Sequence, residues 1–142
     1  MRRLSLIGAI GLLLLLSVST AFAASGNSAW QAKVQVGAVT GGATLAMTAN
    51  GKAASVAVKL YHMKPATKVT VSLNAGACSS TPTAIASRLT FKAPAIGPAV
   101  HRFWLTKSQL AKFKAHVAKG ETFSVTITAN GSTPVCTGLA TR

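Results

Sequence analysis

Residues 44–61 read TLAMTANGKAASVAVKLY, and this stretch decides the fold. Val56, Val58 and Leu60 recur at every second position, which is the side-chain period of a strand with one buried face. They are expected to point inward, with Lys59 outward. Asn50-Gly51 sits between this segment and Thr44 to Thr48. Both residues tolerate positive φ, so the pair marks a hairpin.

The same period extends in both directions. Ala32, Val34 and Val36 alternate with Lys33 and Gln35, and Gly41-Gly42 is expected to close that segment. Lys64-Pro65 ends the strand that contains Leu60. Val69, Val71 and Leu73 alternate with Lys68, Thr70, Ser72 and Asn74. Ala75 to Thr83 reads as a loop punctuated by Gly76 and Pro82. Ile85, Ser87, Leu89 and Phe91 then alternate with Arg88 and Lys92, and Val100 to Leu105 makes a further short strand.

One helix is expected. Thr106 can cap it with Gln109 as the capping-box partner, and Leu105 with Leu110 forms a hydrophobic staple. Leu110, Phe113 and Val117 share one face, Lys112, His116 and Lys119 the other, and Gly120 suits the stop. Phe123, Val125 and Ile127 alternate with Thr122, Ser124, Thr126 and Thr128. Asn130-Gly131 turns the chain into a last strand, Val135 to Leu139. About eight short strands with regular turn signals describe an all-β sandwich or barrel. The expectation is a small Greek-key-type β-sandwich with one short helix near its C-terminal end and one disulfide.

The first segment reads as an export signal. Met1-Arg2-Arg3 is positive, Leu4 to Leu16 is apolar, and Ala21-Phe22-Ala23 is the small-x-small pattern of a cleavage site. An uncleaved anchor is the competing reading, because Leu4 to Ala24 is uncharged for about 21 residues, enough to span a bilayer. The polar stretch before Ala21 favours cleavage after Ala23. The expectation is one domain over residues 24–142, with 24–29 frayed, secreted or periplasmic, and no transmembrane segment once the signal is removed.

Cys78 and Cys136 are the two cysteines. In an oxidising compartment they are expected to pair. The bridge would close a loop of about 58 residues, worth roughly 4 kcal/mol in the chain-entropy model. A reactive thiol or metal pair has no CxxC spacing or neighbouring His to support it.

Composition excludes several chemistries. The chain has 142 residues and a formal net charge of +14, with fifteen lysines and arginines against one acid, Glu121. One carboxylate cannot form a catalytic pair or a multi-acid site for a hard cation. His62, His101 and His116 show neither i,i+2 spacing on a strand nor i,i+4 spacing on a helix, so they read as partly exposed residues. Glu121 can pair with any of several lysines. No Gly-x-Ser-x-Gly elbow occurs. Trp30 and Trp104 are expected in the core, the competing reading being aromatics of a carbohydrate platform. We therefore expect neither an enzyme nor a cofactor.

Leu105-Thr106-Lys107-Ser108-Gln109-Leu110, Gly120, Phe123 to Thr128, the Asn130-Gly131 turn and Val135-Cys136-Thr137-Gly138 together resemble the end of a chordin-type (CHRD) domain. Leu73-Asn74-Ala75-Gly76-Ala77-Cys78 is similar to the copper/zinc superoxide dismutase-like sandwiches, where a His-x-His strand leads to a Gly and a bridging Cys. The resemblance implies a sandwich scaffold with Cys78 bridged to Cys136. It does not carry over the metal, because Ser72 and Asn74 stand where the dismutase strand has histidines, and Ile127 where the chordin-type strand has its His. A hydroxyl and an amide do not replace imidazole as ligands for copper or zinc. A degenerate metal-binding relative of the dismutases, with histidines gathered by folding, is the alternative.

Charge is the strongest remaining signal. A field of this sign favours polyanions and anionic surfaces. The bases are densest on the helix, where Lys107, Lys112, Lys114 and Lys119 are expected to meet an anionic polymer or envelope component. No aromatic nucleic-acid module is present, so sequence-specific nucleic-acid recognition is not expected. The expectation is a secreted, non-catalytic binding module.

Overall fold

A computed structural model describes residues 28–142. The export-signal reading of 1–23 and the start of the frayed segment lie outside the described residues. Ser28 and Ala29, also expected to fray, already belong to the first strand.

Eight strands and one helix follow in order: β1 (Ser28–Val36), β2 (Val39–Met47), β3 (Ala54–Tyr61), β4 (Lys68–Ala75), β5 (Thr83–Lys92), β6 (Ala99–Trp104), α1 (Lys107–Ala118), β7 (Phe123–Ala129) and β8 (Val135–Thr141). All pairings are antiparallel, in the order β5-β4-β7-β8-β1-β2-β3-β6. The sheet is nearly closed. β1 and β8 share only the Trp30–Thr141 and Gln31–Ala140 pairs, and the end strands β5 and β6 approach through side chains.

The alternation that marked the strands also fills the interior. Val34, Leu45, Val56, Val58 and Leu60 line it from one half; Val69, Val71, Leu73, Val125 and Ile127 face them from the other. Lys59 is exposed, as its place in the alternation requires.

The first turn differs from expectation. Val36 pairs with Val39, so the chain reverses at Gly37-Ala38, where Gly37 supplies a φ of +61°. Gly41 and Gly42 lie inside β2 instead. Gly41 is there because the sheet leaves no room: an added Cβ would sit 2.0 Å from the Lys59 carbonyl oxygen. The Asn50-Gly51 hairpin exists but is looser than a two-residue turn. The Thr48 N–H donates to the Ala53 carbonyl at 2.9 Å, and only Gly51 of the pair has positive φ. At Asn130-Gly131 both residues are left-handed, as a tight turn requires.

β5 also departs from simple alternation. Val71 pairs with Leu89, Leu73 with Ala86 and Asn74 with Ala84, so two extra residues bulge out of β5. Arg88 takes a φ of +57° within one bulge. Consequently Ile85 and Ala86 are both buried while Ser87 is exposed. Strict alternation placed Ser87 with Ile85 and Leu89, and the bulges break that phase.

The helix begins with the expected capping box. The Gln109 N–H donates to Thr106 Oγ1 at 3.3 Å, and the Thr106 N–H donates to Gln109 Oε1 at 2.9 Å. Gly120 ends it with a φ of +67°. Phe113 is fully buried edge-on to Trp30 and Phe123, so the helix covers one end of the barrel. Burial of that kind makes a Phe→Ala change cost about 3–5 kcal/mol. Trp104 is not in the core as expected: it is 59% exposed, because outward is its phase on β6. Among the described residues no helix is long and apolar enough to cross a membrane.

Candidate functional site

Cys78 and Cys136 form a disulfide with a Cα–Cα distance of 5.7 Å. Cys136 sits on β8 opposite Thr126, so the bond ties the β4–β5 loop to the outward side of β7 and β8. Polar groups are buried on that side. The Asn74 amide Nδ2 donates to Thr126 Oγ1 at 3.1 Å, and the fully buried Ser124 hydroxyl has no hydrogen-bond partner among the described residues. The positions singled out by resemblance do not form one site. Asn74 and Ser72 belong to the outward phase of β4, whereas Ile127 is in the core. Side chains at 74 and 127 lie on opposite faces of the sheet.

The three histidines occupy separate places. His62 follows β3 with a φ of +63° and lines a cleft of about 230 Å³ with Met63, Lys64 and Asn130. His101 is on β6, stacked on Phe91. His116 is half-buried on α1, not on its open face, and its ring nitrogen Nδ1 donates to Glu121 Oε2. The one acid is therefore held by a histidine and not by a lysine, because the turn at Gly120 brings Glu121 back under the helix end; its N–H also donates to the His116 carbonyl. Among the described residues no group of three or more His, Cys, Asp or Glu is placed to hold a metal ion.

The helix lysines are exposed but do not form one patch. At about 100° per residue, Lys112 and Lys119 fall within about 20° of each other, as do Lys107 and Lys114, and the two pairs stand about 140° apart. Lys114 also leans on the β2–β3 turn: its Nζ lies 3.6 Å from where a Cβ would stand at Gly51. Sequence density on one helix is not density on one surface.

The outward face of β1-β2-β3-β6 was not anticipated as a site. Register aligns Lys33, Gly42, Lys59 and Val100 in one row, then Gln31, Thr44, Ala57 and Arg102, then Ala29, Ala46, Ser55 and Trp104. Tyr61, opposite Thr40, stands at the other end of β3. Small side chains therefore form a floor between larger ones. Tyr61 and Trp104 are 41% and 59% exposed. Each has a cation over one face: Lys59 Nζ is 5.2 Å from the Tyr61 ring centre, and the Arg102 guanidinium is 5.9 Å from that of Trp104. Shallow clefts of about 240 and 250 Å³ open next to Tyr61 and Trp104 respectively. The signal was legible in principle, because the phase that buries Val56, Val58 and Leu60 must turn Lys59 and Tyr61 outward.

No family model, curated protein or solved structure matches this chain.

Proposed function

We propose that the chain is an exported, non-catalytic binding module, a Greek-key β-sandwich of chordin-like type, that holds anionic polymers or surface components of a cell envelope. One observation carries the reading. Among the described residues every lysine and arginine is exposed and none is ion-paired. Internal neutralisation would make a basic composition inert toward partners; here the sole acid is held by His116 and the positive field faces outward.

The Greek-key part is supported by strand order. Counting β5 and β6 as neighbours across the seam, β7-β4-β5-β6 places a fourth strand beside the first of three consecutive ones. The connection that returns from β6 to β7 contains α1. Export is supported by the disulfide, which persists in oxidising compartments.

The test is retention of the full chain on beads coated with polyphosphate, polygalacturonate or neutral dextran at low salt. Retention on the two anionic polymers and not on dextran is expected. Equal retention on all three contradicts the reading, and stoichiometric copper or zinc in the refolded chain would replace it with a metalloprotein.

A further inference from the structure

We infer that the outward face of β1-β2-β3-β6 is a binding trough for an extended, carboxylated polysaccharide, with sugar rings seated on Tyr61 and Trp104 and carboxylates held by Lys59, Arg102 and Lys33. The inference rests on the reading above, that the domain holds polyanions, and names the ligand class and the face.

Exposure comes first. A tyrosine left 41% open and a tryptophan left 59% open forgo part of the burial that aromatic rings normally gain, and both offer a flat apolar face with a polar edge. The apolar C–H face of a pyranose ring matches such a surface, whereas a bare phosphate chain offers nothing to stack. The two rings mark the ends of a line. Tyr61 and Ser55, the partner of Trp104, are six residues apart on β3, about 20 Å at strand rise. That span fits several sugar rings of an extended chain.

The space between the rings is shaped for a chain. Gly42, Thr44 and Ala57 form its floor, while Val100 and Arg102 rise on one side and Lys33 on the other. A contiguous apolar patch would mark a membrane or protein contact. Here the two aromatics are separated by small and cationic residues, with Val100 the one exposed aliphatic side chain between them.

Charge supplies the complement. Arg102 lies over one face of the Trp104 ring and Lys59 over one face of the Tyr61 ring, so a sugar stacks on the opposite face of each or displaces the cation toward its own carboxylate. A sugar that stacks on the ring would bring a carboxylate on its own ring within reach of that cation, and Arg presents a fork suited to carboxylate. Glu121, the chain's one acidic side chain, lies beyond the far end of α1 against His116, so no acidic side chain competes on this face.

Two soluble probes of similar length test this, polygalacturonate and polyphosphate, titrated into the full chain at fixed low salt. Both Tyr61 and Trp104 are exposed, so the Tyr61→Ala/Trp104→Ala variant is expected to fold, checked by an unchanged thermal midpoint. That variant is expected to bind polygalacturonate at least tenfold more weakly and polyphosphate within twofold of the parent, with Trp104→Phe retaining most of the affinity. Unchanged affinity for both polymers would overturn the trough while leaving the general polyanion reading intact. Equal losses for both would overturn sugar stacking. No binding of either polymer by the parent chain would overturn both readings together.

Discussion

The rings of Phe91 and His101 are stacked, centres 5.2 Å apart and planes 12° from parallel, where β5 and β6 meet without a hydrogen-bonded ladder. Phe103 joins them, 4.5 Å from His101 and 5.9 Å from Phe91 between ring centres. Side-chain contact thus does at this seam what backbone pairing does elsewhere in the barrel. It also keeps two strand edges from acting as templates for another chain, and the bulge at Arg88 distorts β5 further against such pairing.

Phe91→Ala is therefore expected to open the seam selectively. Loss of the stack and of half-buried ring area should cost about 2–3 kcal/mol, below the full cost of a core Phe. Hydrogen exchange should accelerate in β5 and β6 before β1 and β2. Uniform acceleration across all eight strands would contradict a local role.

The disulfide spans a sequence separation of 58 residues. In the chain-entropy model its removal costs roughly 4 kcal/mol, a large fraction of a small domain's stability. Urea denaturation of a Cys78→Ser/Cys136→Ser variant should show that loss. The β4–β5 loop, residues 76–82, should also become the first site of limited proteolysis. An unchanged denaturation midpoint would contradict the loop-closure account.

Two glycines separate steric need from chance. Gly41→Ala places a Cβ 2.0 Å from the Lys59 carbonyl oxygen, whereas at Gly138 an added Cβ meets nothing within 4 Å. Gly41→Ala is expected to destabilise by on the order of 2–3 kcal/mol, and Gly138→Ala by less than about 0.5 kcal/mol. Thermal midpoints of the two variants decide it, and similar shifts would contradict the close strand approach.

Much of this fold was legible because the chain obeys one simple rule over most of its length. Val56, Val58, Leu60, Val69, Val71, Leu73, Val125 and Ile127 follow the two-residue period into the core, and Thr106 with Gln109 caps the helix as their spacing requires. Periodicity has no term for an inserted residue, so the bulges in β5 that bury Ala86 and expose Ser87 stayed hidden. Nor does it say which of two glycine sites turns: Gly37 and Gly41-Gly42 are equally permissive, and the Val36–Val39 pairing selects the first. The candidate trough depends on register between β3 and β6, which sequence alone does not fix. That is why the sequence did not show Arg102 and Trp104 beside the outward face of β3, nor that the four helix lysines divide between two sides of α1.

The divided helix lysines carry their own prediction. Because Lys112 and Lys119 face away from Lys114, replacing all three by Gln should weaken polyphosphate binding by about the same factor as replacing Lys52, Lys68 and Lys92. Titrations of both triple variants at one salt concentration compare them. A markedly larger loss from the helix variant would restore the helix as the principal contact.

The most direct test of the polyanion reading is a salt series on the full chain with polygalacturonate. Log affinity is expected to fall linearly against log salt, by at least about tenfold between about 50 and 200 mM for three or more cation contacts. Affinity that stays flat across the series, or no binding at the lowest salt, would contradict it.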